Sequence, residues 1–414
     1  MRKALRAARS TLLISGAMTT RHRRRWVRRT IIGTVLVLAL ALTAFFALAP
    51  AIAERSMNEI TGDPIPEVSA EAAALHSKLA VADMHSDTLM WDRSLNTRAD
   101  RGHVDVPRLA EGNVALQVFS SVSKSPKGQN YDSNTGDTDN ITLLSFAQLQ
   151  PPKTWFSLLE RSRYHAAKLA RDAEASGGAL RVITTRAELE QLLVDRSEGS
   201  PVIGAVFSVE GLQNLEGDIA NLDVLYADGM RMAGLTHFFD NELADSMHGV
   251  GKGGLTELGR EAISKMEDLG IVVDIAHASH QTIAEVLESA KKPVVASHGG
   301  VQATCDVNRN LTDDEIRGVA KTGGVIGVGY WDAAVCELTP QAVVDAIDHV
   351  VKIGGIETAA LGSDYDGSTE VAWDTSHLAI ITQELMNRGY DDDDIHAIMG
   401  GNTIRVLAET LPAE

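Results

Sequence analysis

His85, Ser86 and Asp87 follow the apolar run Leu79–Ala82. On an extended segment residues i and i+2 face the same side, so an imidazole and a carboxylate converge on one point where the run ends. That donor pair suits a borderline divalent cation such as zinc, which takes His nitrogen and Asp oxygen. A lone His-x-Asp triplet is commonplace in surface turns, but the chain repeats the arrangement. Glu210 follows Val202–Phe207, His237 follows Met230–Leu235, His277 follows Ile271–Ile275, His298 follows Pro293–Ala296, and Asp364 follows Thr358–Gly362. Four of the thirteen histidines stand just behind such a run. Four His, two Asp and one Glu exceed the three or four protein ligands of one zinc. The surplus points to two metals sharing a bridging carboxylate, with catalytic groups beside them.

The elements that must position these residues are eight short apolar runs: the six above plus Val114–Phe119 and Gly324–Val328. Rich in Val and Ile, they suit strands buried on both faces. Helix signals lie between them. Thr185/Glu188 and Thr312/Glu315 fit the capping box, and Leu255–Leu269 is amphipathic and ends at Gly270, a suitable C-cap. Eight strands alternating with helices predict an α/β fold, a (β/α)8 TIM-like barrel, in which chemistry sits at the C-terminal strand ends. A Gly-rich fingerprint after the first run is lacking, which disfavours a dinucleotide-binding sheet. The connection 120–201 is long. Its polar loop Ser123–Asn140, a helix over 155–175 and a short strand and helix over 181–194 predict an insertion after the second strand, forming a lid or wall at the barrel mouth.

Residues 1–53 hold ten Lys or Arg and no Asp or Glu, leaving twenty-eight basic against fifty-six acidic residues in the remainder. So acidic a body repels phosphate backbones, and with 5% aromatic residues it lacks a stacking surface; nucleic acid is not an expected partner. Residues 31–53 are apolar and follow a basic flank, 1–30. They are long enough to cross a bilayer and end in Ala51-Ile52-Ala53, a small-x-small cleavage pattern. The segment reads either as a transmembrane anchor or as a signal peptide cut after Ala53, starting at Met1 or Met18. Both readings place the body outside the cytoplasm. Residues 54–70 read as a linker and 71–414 as the barrel domain. Cys305 and Cys336 are the only cysteines. Export permits a disulfide, but spacing does not decide their pairing.

The polar stretches together resemble the membrane dipeptidase (renal dipeptidase) family, peptidase M19, a branch of the metal-dependent amidohydrolase barrels. The matching residues are Asp83–Asp87, His103–Leu109, Val209–Gly211, Leu235–His237, Ala244–Ser246, Asp274–His277, Ala296–His298, Asn308–Leu311, Gly362–Gly367 and Gly400–Asn402. Carried over position by position, the resemblance implies two zinc ions, with His85 and Asp87 on one, His277 and His298 on the other, and Glu210 bridging. It implies that His237 polarises the substrate carbonyl or steadies the oxyanion, that Arg309 binds the substrate's terminal carboxylate, and that Asp364 shuttles the proton. The implied substrate is a dipeptide, including ones with a C-terminal D-residue, and the implied assembly is a homodimer. Ala276 and Gly299 replace serines frequent in the family; neither supplies a ligand.

The chemistry expected is attack of a metal-bridging hydroxide on the peptide carbonyl, with Asp364 acting first as general base and then as general acid. A guanidinium at Arg309 can grip a carboxylate through two parallel hydrogen bonds. Asp274 and Asp366 read as structural, and His248 and His280 as exposed. Two alternatives stand beside the dipeptidase reading: another amidohydrolase reaction (deaminase or lactonase), and a non-catalytic binding protein on the same barrel.

Overall fold

Apolar runs of three to seven residues are too short to bury themselves as helices, and here each becomes a parallel strand: β1 Val81–Ser86, β2 Val114–Phe119, β3 Leu180–Val182, β4 Ile203–Val209, β5 Met230–Gly234, β6 Val272–Asp274, β7 Val294–Gly299, β8 Val325–Val328 and β9 Ala359–Leu361. The computed structural model describes residues 2–62 and 64–414, with side chains from residue 20 onward. Eight of the strands close a ring, β1-β2-β4-β5-β6-β7-β8-β9, sealed by the pair Asp83↔Leu361 between β1 and β9. This is the (β/α)8 barrel predicted. The ninth strand, β3, belongs to the long insertion after β2. It pairs along the first residues of β4, on the edge that β5 takes over from Phe207.

The strands' burial explains their apolar sequences. Ala82, Met84, Val118, Val206, Met232 and Val295, drawn from strands around the ring, pack into one cluster that fills the barrel. Val406, Leu407 and Leu411 join them, closing the end where β1 begins. Alternate strand residues such as Val81, Phe207, Val294 and Ala296 face the helices instead. Both predicted capping boxes form, at Thr185/Glu188 and Thr312/Glu315, and Gly270 ends its helix in the left-handed conformation at φ 74°.

The insertion is an ordered wall. The helix predicted over 155–175 breaks at Ser157, whose side chain caps the second piece, Leu158–Ala175, by accepting from Glu160 N at 3.2 Å. Arg161, fully buried, donates to Thr154 O at 3.1 Å, Asp139 Oδ2 at 2.9 Å, Thr142 Oγ1 at 3.0 Å and Ser123 O, stitching helix to polar loop. His165 is buried on the same helix, 2.8 Å from Ser121 Oγ just past β2.

Residues 1–51 and 52–414 are separate compact units. One helix, Arg2–Met57, contains the first unit, and its portion Thr20–Met57 is long and apolar enough to cross a membrane. Residues 54–61, read from sequence as part of a linker, pack on the barrel body: Glu54 is buried and Ile60 pairs with Val371.

Burial, reinforced by the charges of Lys168 and Arg161, pulls His165 down to about 3. The folded chain therefore excludes a proton that the unfolded chain binds below its ordinary value of 6.5. The associated stability is present above pH 6.5 and is lost as pH falls towards 3. Between pH 7 and 5 this group alone should remove about 2 kcal/mol. Urea unfolding of wild type and His165→Gln at both pH values checks this, with the pH-dependent loss smaller in the variant by about that amount.

Candidate metal centre

The site begins with two buried carboxylates that hold strands rather than ligands. Asp83, in β1, accepts from Gln117 Nε2 at 3.0 Å, from His85 N at 3.1 Å, and from Ser363 N and Oγ at 3.0 Å each. It thus ties the strand bearing His85 to the residue preceding Asp364. Asp274, ending β6, accepts from Ala276 N at 3.0 Å, Ser297 N at 2.9 Å and Ser297 Oγ at 2.5 Å. It ties the turn bearing His277 to the strand bearing His298. Asp274 is structural, as read from the sequence.

Around these supports the predicted residues converge. Glu210 Oε1 lies 2.8 Å from His277 Nε2 and 3.1 Å from His298 Nε2. Its Oε2 lies 3.5 Å from His237 Nε2 and 3.8 Å from His85 Nε2. His85 Nε2 is also 3.5 Å from Asp87 Oδ1 and 3.9 Å from Asp364 Oδ1. Three sets of donor atoms result, each within 4.8 Å: His85, Glu210 and His298; Glu210, His237 and His277; His85, Asp87 and Asp364. His85 and His298 sit inside β1 and β7, whereas the sequence placed them beyond the strands, because both strands run on to Ser86 and Gly299.

Neighbours set the protonation of the rings. Ser297 gives its one hydroxyl proton to Asp274, so it accepts from His298 Nδ1 at 2.8 Å. The Lys124 carbonyl can only accept, so His237 donates from Nδ1 at 3.2 Å. In both rings the Nε2 lone pair is left for the centre, the state a metal ligand requires. Burial pulls His237 down to about 4, and burial with the Arg309 charge holds His277 far below its ordinary range. His85 goes the other way. Burial lowers it, but Glu210, Asp87 and Asp364 outweigh burial and push it up to about 10. Burial raises Asp87, Glu210 and Asp364 in turn.

These residues fit divalent cations. His85 Nε2, Asp87 Oδ1 and both oxygens of Glu210 are buried without a hydrogen-bond partner, a costly state for polar atoms that metal coordination would relieve. Arg309 completes the site. Its guanidinium lies 4.7 Å over Trp331 and donates to His277 Nδ1 at 3.0 Å, while Nε and Nη2 are buried and unpartnered. A disulfide, Cys305–Cys336, ties the segment preceding Arg309 to the loop after β8.

The sequence missed part of the wall. His248, read as exposed, is buried: its ring stacks on Phe238 at 4.5 Å and donates from Nδ1 to Tyr131 O at 2.9 Å. Tyr131 comes from the insertion and its hydroxyl accepts from Trp331 Nε1 at 3.3 Å. No local pattern marks either residue, since the insertion folds over the barrel only in three dimensions. His280 is partly exposed and pairs with Glu315 at 2.6 Å.

The model of the membrane dipeptidase family (peptidase family M19) matches residues 69–413. The dipeptidase aclJ of Aspergillus oryzae is 28% identical over 369 residues, 82% of each chain. Two crystal structures share the fold. One is a metallo peptidase from Rhodobacter sphaeroides liganded with a phosphinate mimic of the dipeptide L-Ala-D-Ala, with TM-score 0.68, 21% identity, and 80% of this chain and 99% of that one covered. The other is the probable dipeptidase PvdM from Pseudomonas aeruginosa, with TM-score 0.69, 21% identity, and 82% and 98% covered.

Gly367 is where a side chain has no room. A Cβ there would run into Asp364 Oδ1 and lie 3.0 Å from Asp87 Oδ2. Gly367→Ala should leave the circular dichroism of the fold intact yet weaken metal binding by about tenfold or more, read by competition with a chelating dye.

Proposed function

The chain belongs to the membrane dipeptidase family, and from that premise we propose that it is a two-zinc dipeptidase whose substrates include dipeptides with a C-terminal D-residue. Its class, a metallopeptidase that hydrolyses dipeptides, follows from the family. The observation that carries the finer reading is Glu210: neither oxygen has a hydrogen-bond partner, and each faces two imidazole nitrogens.

His85 and Asp87 would hold one ion and His277 and His298 the other, with Glu210 between them. Bound there, the metals would supply a hydroxide nucleophile at neutral pH and Lewis-acid polarisation of the scissile carbonyl. The chain's own residues do the rest. Arg309 presents Nε and Nη2, both unpartnered, as a fork for the substrate's terminal carboxylate. That fork sets the length of substrate accepted by placing the scissile carbonyl a fixed distance away. Trp331, beneath the guanidinium, and the Tyr131 and His248 wall exclude water. Asp364, with Oδ1 3.9 Å from His85 Nε2 at the edge of the centre, takes the proton released on attack and returns it to the departing amine.

His237 has two readings. As a donor to the oxyanion it needs a proton on Nε2 in addition to the one Nδ1 gives Lys124 O. As a metal ligand it needs that nitrogen bare, which is how the Lys124 carbonyl and burial leave it, so the oxyanion role requires Nε2 to gain a proton as substrate binds. We assign the oxyanion role, because five other ligands suffice for the metals. The apolar segment 31–53 would carry the barrel out of the cytoplasm, where the Cys305–Cys336 bond is stable.

Full-length protein should hydrolyse dipeptides, lose activity on chelation and regain it with zinc at two equivalents. A panel differing only in the hand of the C-terminal residue reads the stereochemical preference. Folded, two-zinc protein without hydrolysis of any dipeptide would overturn the reading. His237→Ala should keep two metals by elemental analysis while kcat falls about 10²–10³-fold; loss of one metal would make His237 a ligand.

A further inference from the structure

The loop after β9 carries Asp364 on a backbone that resists its own conformation. Asp364, Asp366 and Ser368 have φ of 56°, 64° and 64°. Side chains other than glycine hold this left-handed region only where the surroundings over-determine it. Here the surroundings include a stretch of chain far away in sequence. Asp366 accepts from Thr88 Oγ1 at 2.7 Å, from His103 N at 2.6 Å and from the Arg93 guanidinium. Arg93 is buried and donates also to Val104 O and Glu54 Oε1, each at 2.5 Å. Glu54 is 1% exposed, and its second oxygen takes Arg101 Nε at 2.6 Å. Further along, Ser368 N donates to Asn58 Oδ1 at 2.9 Å, Thr61 N to Val371 O at 2.9 Å, and Val371 N to Glu59 O at 3.0 Å. Residues 54–61 thus grip the loop at two places.

We propose that Glu54 is a positioning residue for Asp364, acting through Arg93 and Asp366, and that residues 54–61 form a strap completing the active-site loop from outside the catalytic barrel's family-matched region. That region begins at residue 69, so the strap lies N-terminal to everything the family match covers. The inference rests on the proton-carrying role given to Asp364. The physical argument is charge balance. Arg93 and Arg101 share one buried carboxylate, and a buried guanidinium that loses a partner must find another. Without Glu54, Arg93 is drawn wholly onto Asp366 or towards solvent, and either shift moves a residue two places from Asp364. A chain retained whole and a chain cut after Ala53 both keep Glu54.

The test uses the full-length, zinc-loaded chain with Glu54→Ala, Glu54→Gln and Asn58→Ala. Glu54→Ala should lower kcat about tenfold or more and leave KM within about twofold and metal content unchanged. Hydrogen exchange at the amides of Gly367, Ser368 and Val371 should quicken. Glu54→Gln, which keeps an acceptor for Arg93, should recover part of the loss. Asn58→Ala should show a smaller effect of the same kind, and decides the matter if Glu54→Ala does not fold. Unchanged kcat and unchanged loop exchange in folded variants would overturn the proposal, as would loss of metal in step with kcat. If wild type cleaves no dipeptide, the functional reading fails, while the exchange data still decide whether the strap holds the loop.

Discussion

The structure is built round a collision of buried charges. Asp87, Glu210 and Asp364 lie together in the barrel mouth with His85, His237, His277 and His298, all buried. Burial raises the carboxylates and lowers every imidazole, although at His85 the charges of Glu210, Asp87 and Asp364 outweigh it. Two of the four nitrogens that face Glu210, Nε2 of His237 and of His298, hold lone pairs and cannot donate to it. A divalent cation would relieve the conflict, since it takes carboxylate oxygens and bare imidazole nitrogens at once. Metal bound there would offset the cost of burying these groups and add to the folding free energy.

A fold that carries such a cost needs rigid supports, and the barrel provides them in pairs. Asp83 and Asp274 are buried carboxylates whose acceptor sites are filled by neighbours from adjacent or nearby strands. Asp274 links the segments bearing His277 and His298, and Asp83 links the strand bearing His85 to the loop bearing Asp364. Ser297 and the Lys124 carbonyl settle which ring nitrogen is bare. The disulfide and the 4.7 Å contact with Trp331 hold Arg309 beside the centre. The strap from Glu54 to Thr61 does the same for the loop of Asp364.

Much of this was legible in the residues. A strand buried on both faces must be apolar throughout, so Val114–Phe119 and Met230–Gly234 announced themselves as strands. Polar residues stand out against such runs, so His237, His277 and Asp364 showed at their ends, although His85 and His298 lie inside β1 and β7. Thr185/Glu188 and Thr312/Glu315 satisfy their helix ends with each other and needed no tertiary partner. These are local rules, and sequence expresses them directly. What depended on contacts between distant segments was not legible. His248 read as exposed because nothing near it shows that Phe238 and Tyr131 cover it. The helix break at Ser157, by contrast, carries its own local signal, a Ser that caps the second piece by accepting from Glu160 N, which the reading of one continuous helix passes over. Residues 54–61 look like a linker until Val371 and Arg93 are placed beside them, and Cys305 found Cys336 only through the folds of two loops. The sequence by itself determined the eight strands of the barrel and marked the His, Asp and Glu residues at or near their ends. Only the tertiary structure decided their protonation, their supports and their second partners, because burial and hydrogen-bond geometry between segments hundreds of residues apart leave no periodic trace in the chain.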